Sequence, residues 1–140
     1  MVTRPMPPDP DRAQSIYHMC RRAEWRAATT EGVYRGSSQD VADDFIHFST
    51  SDQLRASAAK HRAGQRDLVL LTVDARALGQ ALKWEPARGG DLFPHLHGPL
   101  PVAAVISVDA LPLGPDGGHL FPPGVPPVPA NDRGGGGGRR

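Results

Sequence analysis

Apolar residues in this chain fall into short runs separated by Gly, Pro and small polar residues, which predicts several strands and few helices. Residues 15–20 (SIYHMC) alternate as a strand, with Ile16, His18 and Cys20 on one face and Tyr17 and Met19 on the other. Residues 21–28 (RRAEWRAA) are rich in helix formers, and Ala23, Trp25 and Ala28 can pack inward; Thr29, Thr30 and Gly32 end the helix. Val33-Tyr34-Arg35 forms a short strand, residues 36–38 a turn, and residues 40–44 an acidic link.

The link leads into DFIHFSTSDQ (residues 44–53), where a strand runs into a helix N-terminus. Ile46 and Phe48 share one face and His47 takes the other. Thr50 followed by Gln53 is a capping-box pattern for a helix over residues 52–62, with Leu54, Ala58 and His61 on one stripe and Gly64 as the stop. Such a junction carries free backbone N–H groups suited to an anion such as phosphate.

Residues 68–73 (LVLLTV) are apolar on both faces, the pattern of a central strand covered on both sides. Asp74 can cap a short helical turn over residues 75–78, and residues 82–85 return as a strand stopped by Pro86. Pro94, Pro99 and Pro101 make residues 92–101 an edge or irregular strand. Residues 102–108 (VAAVISV) form a second continuous apolar strand. Early helices followed by closely spaced strands predict α+β rather than regular βαβ alternation.

Composition sets the limits of that domain. Residues 1–13, with four prolines, read as a flexible lead, residues 14–113 as a single α+β domain, and residues 114–140 as a disordered Pro/Gly-rich tail. The formal net charge of +1 gives no strong attraction to DNA or to a membrane surface. No apolar run approaches the ~18 residues of a membrane span, and the N-terminus lacks an apolar signal core, so the expected location is cytoplasmic. Cys20 is the single cysteine, which excludes an intrachain disulfide and a cysteine-based zinc site.

The chemistry-bearing residues are the histidines. Of six, His61 lies on a helix and His119 in the tail, leaving His18, His47, His95 and His97 in or beside strands. Singly, each is an ordinary hydrogen-bonded core histidine; together in a small domain they suggest one pocket. Three uses fit: a metal site, for which His95 and His97 at i and i+2 share a strand face; acid–base catalysis; or hydrogen bonding to a sugar or phosphate, in which Ser49 and Thr50 can join. Neither a helical HxxxH pair nor cysteine spacing supports the metal site, so none is expected. Glu85 is the best-placed carboxylate, at a strand end before a proline. Trp25, Tyr34, Trp84 and Phe93 can stack on a base or nicotinamide, with core packing the commoner role for the two tryptophans.

IYHMC, a tryptophan in the following helix, EGVY, DFIHFST with Gln53, LVLLTVD, LKWEP and FPHLHGPLP occur in that order. Over residues 15–113 the chain resembles a mainly bacterial family, domain of unknown function 952. The resemblance implies an ADP-ribosyltransferase-like fold, a split, curved mixed β-sheet around a nicotinamide-dinucleotide cleft. It implies an NAD/ADP-ribosyl or nucleotide-phosphate transferase. By position, His18 resembles the histidine that holds the nicotinamide-side ribose. His47, Ser49 and Thr50 resemble the nicotinamide pocket, and His95 stands where many such transferases carry glutamate. Two residues depart from the family pattern: Asp44 replaces a glycine before FIH, and His97 replaces a tyrosine after FPH.

The expectation is therefore a three-histidine cleft. His18, His47 and His95 would be catalytic, and Tyr34, Ser49, Thr50, Glu85, Phe93 and His97 would contact NAD or another nucleotide-like small molecule. Glu85 replaces the missing glutamate if it reaches the cleft. The alternatives are a non-catalytic nucleotide-binding module and a mononuclear metal site.

Overall fold

The computed structural model describes residues 14–87 and 90–126. The predicted flexible lead (residues 1–13) and residues 127–140 lie outside the described residues.

The first sheet is built on β4 (Leu68–Asp74), flanked by β1 (Ser15–Arg21) and β8 (Val105–Leu111), all antiparallel. Its central strand is the continuous apolar run: Leu68, Val69, Leu70, Leu71 and Val73 are at most 1 % exposed. Both faces are covered. One carries Ile16, Cys20, Val69, Leu71 and Val73, packed with Tyr34, Ile46, Phe48, Leu96 and Leu100. The other carries Tyr17, Met19, Leu68 and Leu70 against Leu54 and Ala58. The faces divide as strand alternation in β1 requires.

Between β1 and β4 come α1 (Arg22–Glu31), β2 (Val33–Tyr34), α2 (Ser38–Asp43), β3 (Ile46–His47) and α3 (Ser51–His61). Thr50 caps α3, and its N–H donates to Gln53 Oε1 at 3.0 Å. The acidic link of residues 40–44 is instead part of α2. Ser37 caps it and forms a reciprocal box with Asp40, a signal that the Gly-Ser-Ser turn obscures.

The second sheet has the order β3-β6-β5, with β5 at Leu82–Pro86 and β6 at Leu92–Leu96. β6 is thus a middle strand, not the edge that its proline predicts. Pro94 O accepts from Phe48 N at 2.9 Å, so this residue's backbone polar atoms face the β3 side. The missing N–H falls where β3 has ended, and the ladder to β5 is unharmed. β2 pairs with β7 (Leu100–Pro101).

Residues 46–49 join the two larger sheets. Ile46 and His47 pair with β6, and Ser49 then exchanges two 2.8 Å backbone hydrogen bonds with Tyr17 of β1. All the named strand pairings are antiparallel, so the expected mixed sheet is replaced by antiparallel ones in an α+β fold.

Two further expectations change. The apolar run 102–108 is a 3-10 turn (Val102–Ala104) and then an edge strand, with Ile106 and Val108 exposed. Residues 114–126, assigned by composition to the tail, lie against α3: Val125 is buried, Phe121 packs beside it, and Arg55 donates to the carbonyls of Val125 and Pro126. Composition misses this because the segment is held by a few scattered contacts without periodicity, among them Val125, Phe121, Arg55 and the 2.8 Å hydrogen bond between His119 Nε2 and the Gln65 carbonyl. No helix among the described residues is long and apolar enough to cross a membrane.

Candidate functional site

The outward face of the β3-β6-β5 sheet collects the polar residues. His47 and His95 are directly paired across β3 and β6, and Glu85 faces Phe93 on the neighbouring rung. Residues opposite each other share a face, so His47, Phe93, His95 and Glu85 stand together. Ile46, Leu96, Leu82 and Trp84 turn into the core beneath.

Glu85 Oε1 accepts from His95 Nδ1 at 2.7 Å and from His97 Nε2 at 2.9 Å. A carboxylate only accepts, so the His95 proton sits on Nδ1 and the neutral ring keeps its lone pair on Nε2. That Nε2 has no hydrogen-bond partner among the described residues, although His95 is only 7 % exposed. Burial lowers the His95 pKa, and Glu85 only partly offsets it. The hydrogen bonds from His97 and then His95 hold Glu85 below the usual carboxylate range.

His47 is gripped by α2. Its Nδ1 lies 2.6 Å from Asp40 Oδ1 and its Nε2 3.1 Å from Asp43 Oδ2. Asp40 is 2 % exposed and accepts three further hydrogen bonds, from Ser37 N at 2.8 Å, Ser37 Oγ at 3.0 Å and His47 N at 3.1 Å, and its Oδ2 lies 3.5 Å from His18 Nε2. Burial alone would raise its pKa. The His47 hydrogen bond, the His18 field and the backbone N–H groups of Ser37 and His47 outweigh that and lower it to about 2. Gly36 permits the turn: a Cβ there would lie 2.6 Å from that of Asp40, and its φ is +102°.

Phe45 ties the two halves together. It stacks on His95 with centroids 4.1 Å apart at 24°, and its ring lies 4.6 Å from His47 and 5.2 Å from His97.

The three histidines therefore do not line one open cleft. His18 is 3 % exposed and has both ring nitrogens engaged: Nδ1–H donates to the His47 carbonyl at 2.6 Å, and Nε2 accepts from Tyr34 OH at 2.7 Å. Burial lowers its pKa, more than Asp40 and the His47 carbonyl raise it. Tyr34 is equally enclosed and sits beside Cys20, whose thiol burial pushes up to about 12. Ser49 is buried and donates to Ser57 Oγ at 3.2 Å, away from the histidines, and Thr50 serves as the α3 cap.

Of the predicted residues, the structure brings together His47, Glu85, Phe93, His95 and His97, and sets His18 and Tyr34 behind Asp40. Asp40, Asp43 and Phe45 are the members that sequence reasoning misses. The Ser37-x-x-Asp40 box was the available signal for Asp40. Among the described residues, no group of three or more His, Cys, Asp or Glu is arranged to hold a metal ion.

Solved structures resemble the whole fold. The X-ray structure of protein CC0527 from Caulobacter crescentus is 48 % identical, with a TM-score of 0.73 over 76 % of this chain and 93 % of that one. Its solution NMR structure gives 49 % identity and a TM-score of 0.68 over 74 % and 90 %. No curated protein matches the chain. The model of the family described as "Protein of unknown function (DUF952)" matches residues 19–108, a span that holds the whole cluster from Asp40 to His97 and begins one residue after His18. The chain belongs to the DUF952 family.

Proposed function

We propose that this domain binds NAD, or a related nucleotide, and transfers its ribosyl group, using Glu85 and His95. The observation that carries the proposal is the Glu85–His95 pair, a carboxylate holding Nδ1–H at 2.7 Å with the buried Nε2 lone pair unpartnered among the described residues. A base oriented in this way contributes roughly 10²–10⁴-fold in a proton-transfer step.

The surroundings favour ribosyl over phosphoryl transfer. Asp40, Asp43 and Glu85 all lie beside the imidazoles. Carboxylates repel a phosphate but stabilise a carbon that becomes positive in the transition state. In the proposed step the C1′–N bond to nicotinamide breaks, and neutral nicotinamide leaves with the bonding pair. The acceptor hydroxyl or amine bonds to C1′ and gives its proton to His95 Nε2. Glu85 supplies the negative charge that an imidazole lacks. Its neighbour Phe93 offers an aromatic face, and residues 46–49, passing from one sheet to another, support the split ADP-ribosyltransferase-like reading.

Thermal-shift and calorimetric titration with NAD, ADP-ribose and a 2′-phosphorylated RNA end tests this, together with nicotinamide release. Stabilisation by NAD, with release by the natural protein but not by His95→Ala, is the expected result. Binding of NAD without release would make the domain a non-catalytic binding module. No response to any of the three ligands would rule out both.

A further inference from the structure

Asp40 is the most heavily bonded side chain of the cluster, yet it is too buried to meet a ligand. Its two oxygens have separate tasks. Oδ2 is fixed by Ser37 N and Oγ and lies near His18. Oδ1 takes both the backbone N–H and the ring Nδ1 of His47. A carboxylate held from behind in this way presents one oxygen in one direction.

We infer that Asp40 is the positioning residue of this site, fixing the His47 ring with its proton on Nδ1 so that Nε2 is the nitrogen offered at the surface. The inference rests on the proposed reaction for its kinetic consequence, but its geometric content stands without it. Behind Asp40, Tyr34 OH donates to His18 Nε2, and His18 Nδ1–H donates to the backbone carbonyl of His47 itself. The buried pair therefore grips the same residue from its main chain while Asp40 grips it from its ring. This gives His18 and Tyr34 a role that their enclosure allows: they act through His47 and do not touch the ligand.

At the other nitrogen, Asp43 lies 3.1 Å from Nε2 on a side chain 38 % exposed. A ligand oxygen can replace an exposed carboxylate there, whereas nothing from solvent can replace Asp40. The two carboxylates on one imidazole are thus unequal: the buried one sets the ring, and the exposed one marks where the ligand atom goes.

The direct test is the ring ¹H–¹⁵N NMR spectrum of His47 in the unliganded natural protein. A proton on Nδ1, slow to exchange with water, is expected. A neutral ring protonated at Nε2, or a rapidly exchanging Nδ1–H, overturns the inference. Asp40→Asn adds a kinetic arm, since an amide cannot accept from both Ser37 and His47. Because His47 holds the ligand and does not take the proton, nicotinamide release is expected to fall at least tenfold in kcat/KM, and the Nδ1–H signal to be lost. A variant that melts earlier but keeps the natural His47 spectrum would reduce Asp40 to a structural cap and overturn the inference. If Asp40→Asn does not fold, the natural spectrum decides alone. If the natural protein releases no nicotinamide, the proposed reaction fails, and that spectrum still decides the role of Asp40.

Discussion

His47 and His95 face each other across β3 and β6 with ring centroids 5.5 Å apart, and each meets a carboxylate at Nδ1, Asp40 for one and Glu85 for the other. Two imidazoles from adjacent strands are thereby held alike by unrelated elements, a helix on one side and a strand on the other. The two carboxylates differ in exposure, however. Asp40 is sealed, whereas Glu85 is 35 % exposed.

Glu85→Gln separates the charge of that residue from its geometry. Both bonds to Glu85 end on Oε1, and a glutamine carbonyl can accept both. The pair is partly exposed, so its loss of charge should cost less than about 1 kcal/mol of stability. If the negative charge faces a developing cation, nicotinamide release should fall at least tenfold while the melting temperature hardly moves. Equal rates in the two proteins would show that only the hydrogen-bond geometry matters.

Acid should weaken the fold in two stages. His18 and His95 both have pKa values lowered by burial, so the unfolded chain binds protons that the folded state refuses. Their contribution is complete above the ordinary value of 6.5 and declines as pH falls from there through the folded values. Asp40 behaves separately. Its stabilisation is present above 3.8 and lost as pH falls toward about 2. Urea unfolding between pH 8 and 3 should show stability highest near neutrality, with the first decline beginning near 6.5. His18→Gln should remove much of that first decline.

Phe45 is the cover of the base. Its stacking on His95 should contribute roughly 0.5–1.5 kcal/mol beyond the area it buries, and it helps keep His95 away from water. Phe45→Ala should therefore lower stability and let the His95 pKa rise toward 6.5, because burial is the chief cause of its depression. An NMR titration of the His95 ring in both proteins measures the change. An unmoved titration would mean that the strands, not Phe45, desolvate the ring.

Much of this architecture is legible in the sequence wherever one local rule acts alone. The alternation in residues 15–20 predicts the two faces of β1, and the apolar run at 68–73 predicts the doubly covered centre. Thr50 and Gln53 predict the start of α3. Rules fail where tertiary pairing intervenes. Pro94 suggests an edge, but its lacking N–H faces Phe48, one residue past the end of β3, and leaves the ladder to β5 intact. Residues 40–44 look like a charged link because an aspartate that caps a helix and one that floats in solvent are the same letter. For the site, the sequence identifies His47, Glu85, His95 and His97. It cannot show that His18 faces inward, since a strand face reads the same whether it meets a ligand or the core.

The final prediction concerns Asp44, which ends α2 with φ +68°. Left-handed backbone is unfavourable for a residue with a Cβ by about 1–2 kcal/mol, less for aspartate, and glycine adopts it freely. The charge of Asp44 adds to the cost, because an acid at a helix C-terminus meets the negative end of the dipole at about 0.3–1 kcal/mol. Against both stands the greater freedom of glycine in the unfolded chain, about 0.5–1 kcal/mol. The balance favours Asp44→Gly by roughly 0.5–1 kcal/mol. Asp44→Ala removes the charge, which relieves the dipole, but keeps a Cβ and takes on the full left-handed cost. Urea unfolding should rank the glycine variant above the alanine variant by about 1 kcal/mol. Alanine equal to or above glycine would mean that the turn into Phe45 and His47 is not held at positive φ in solution.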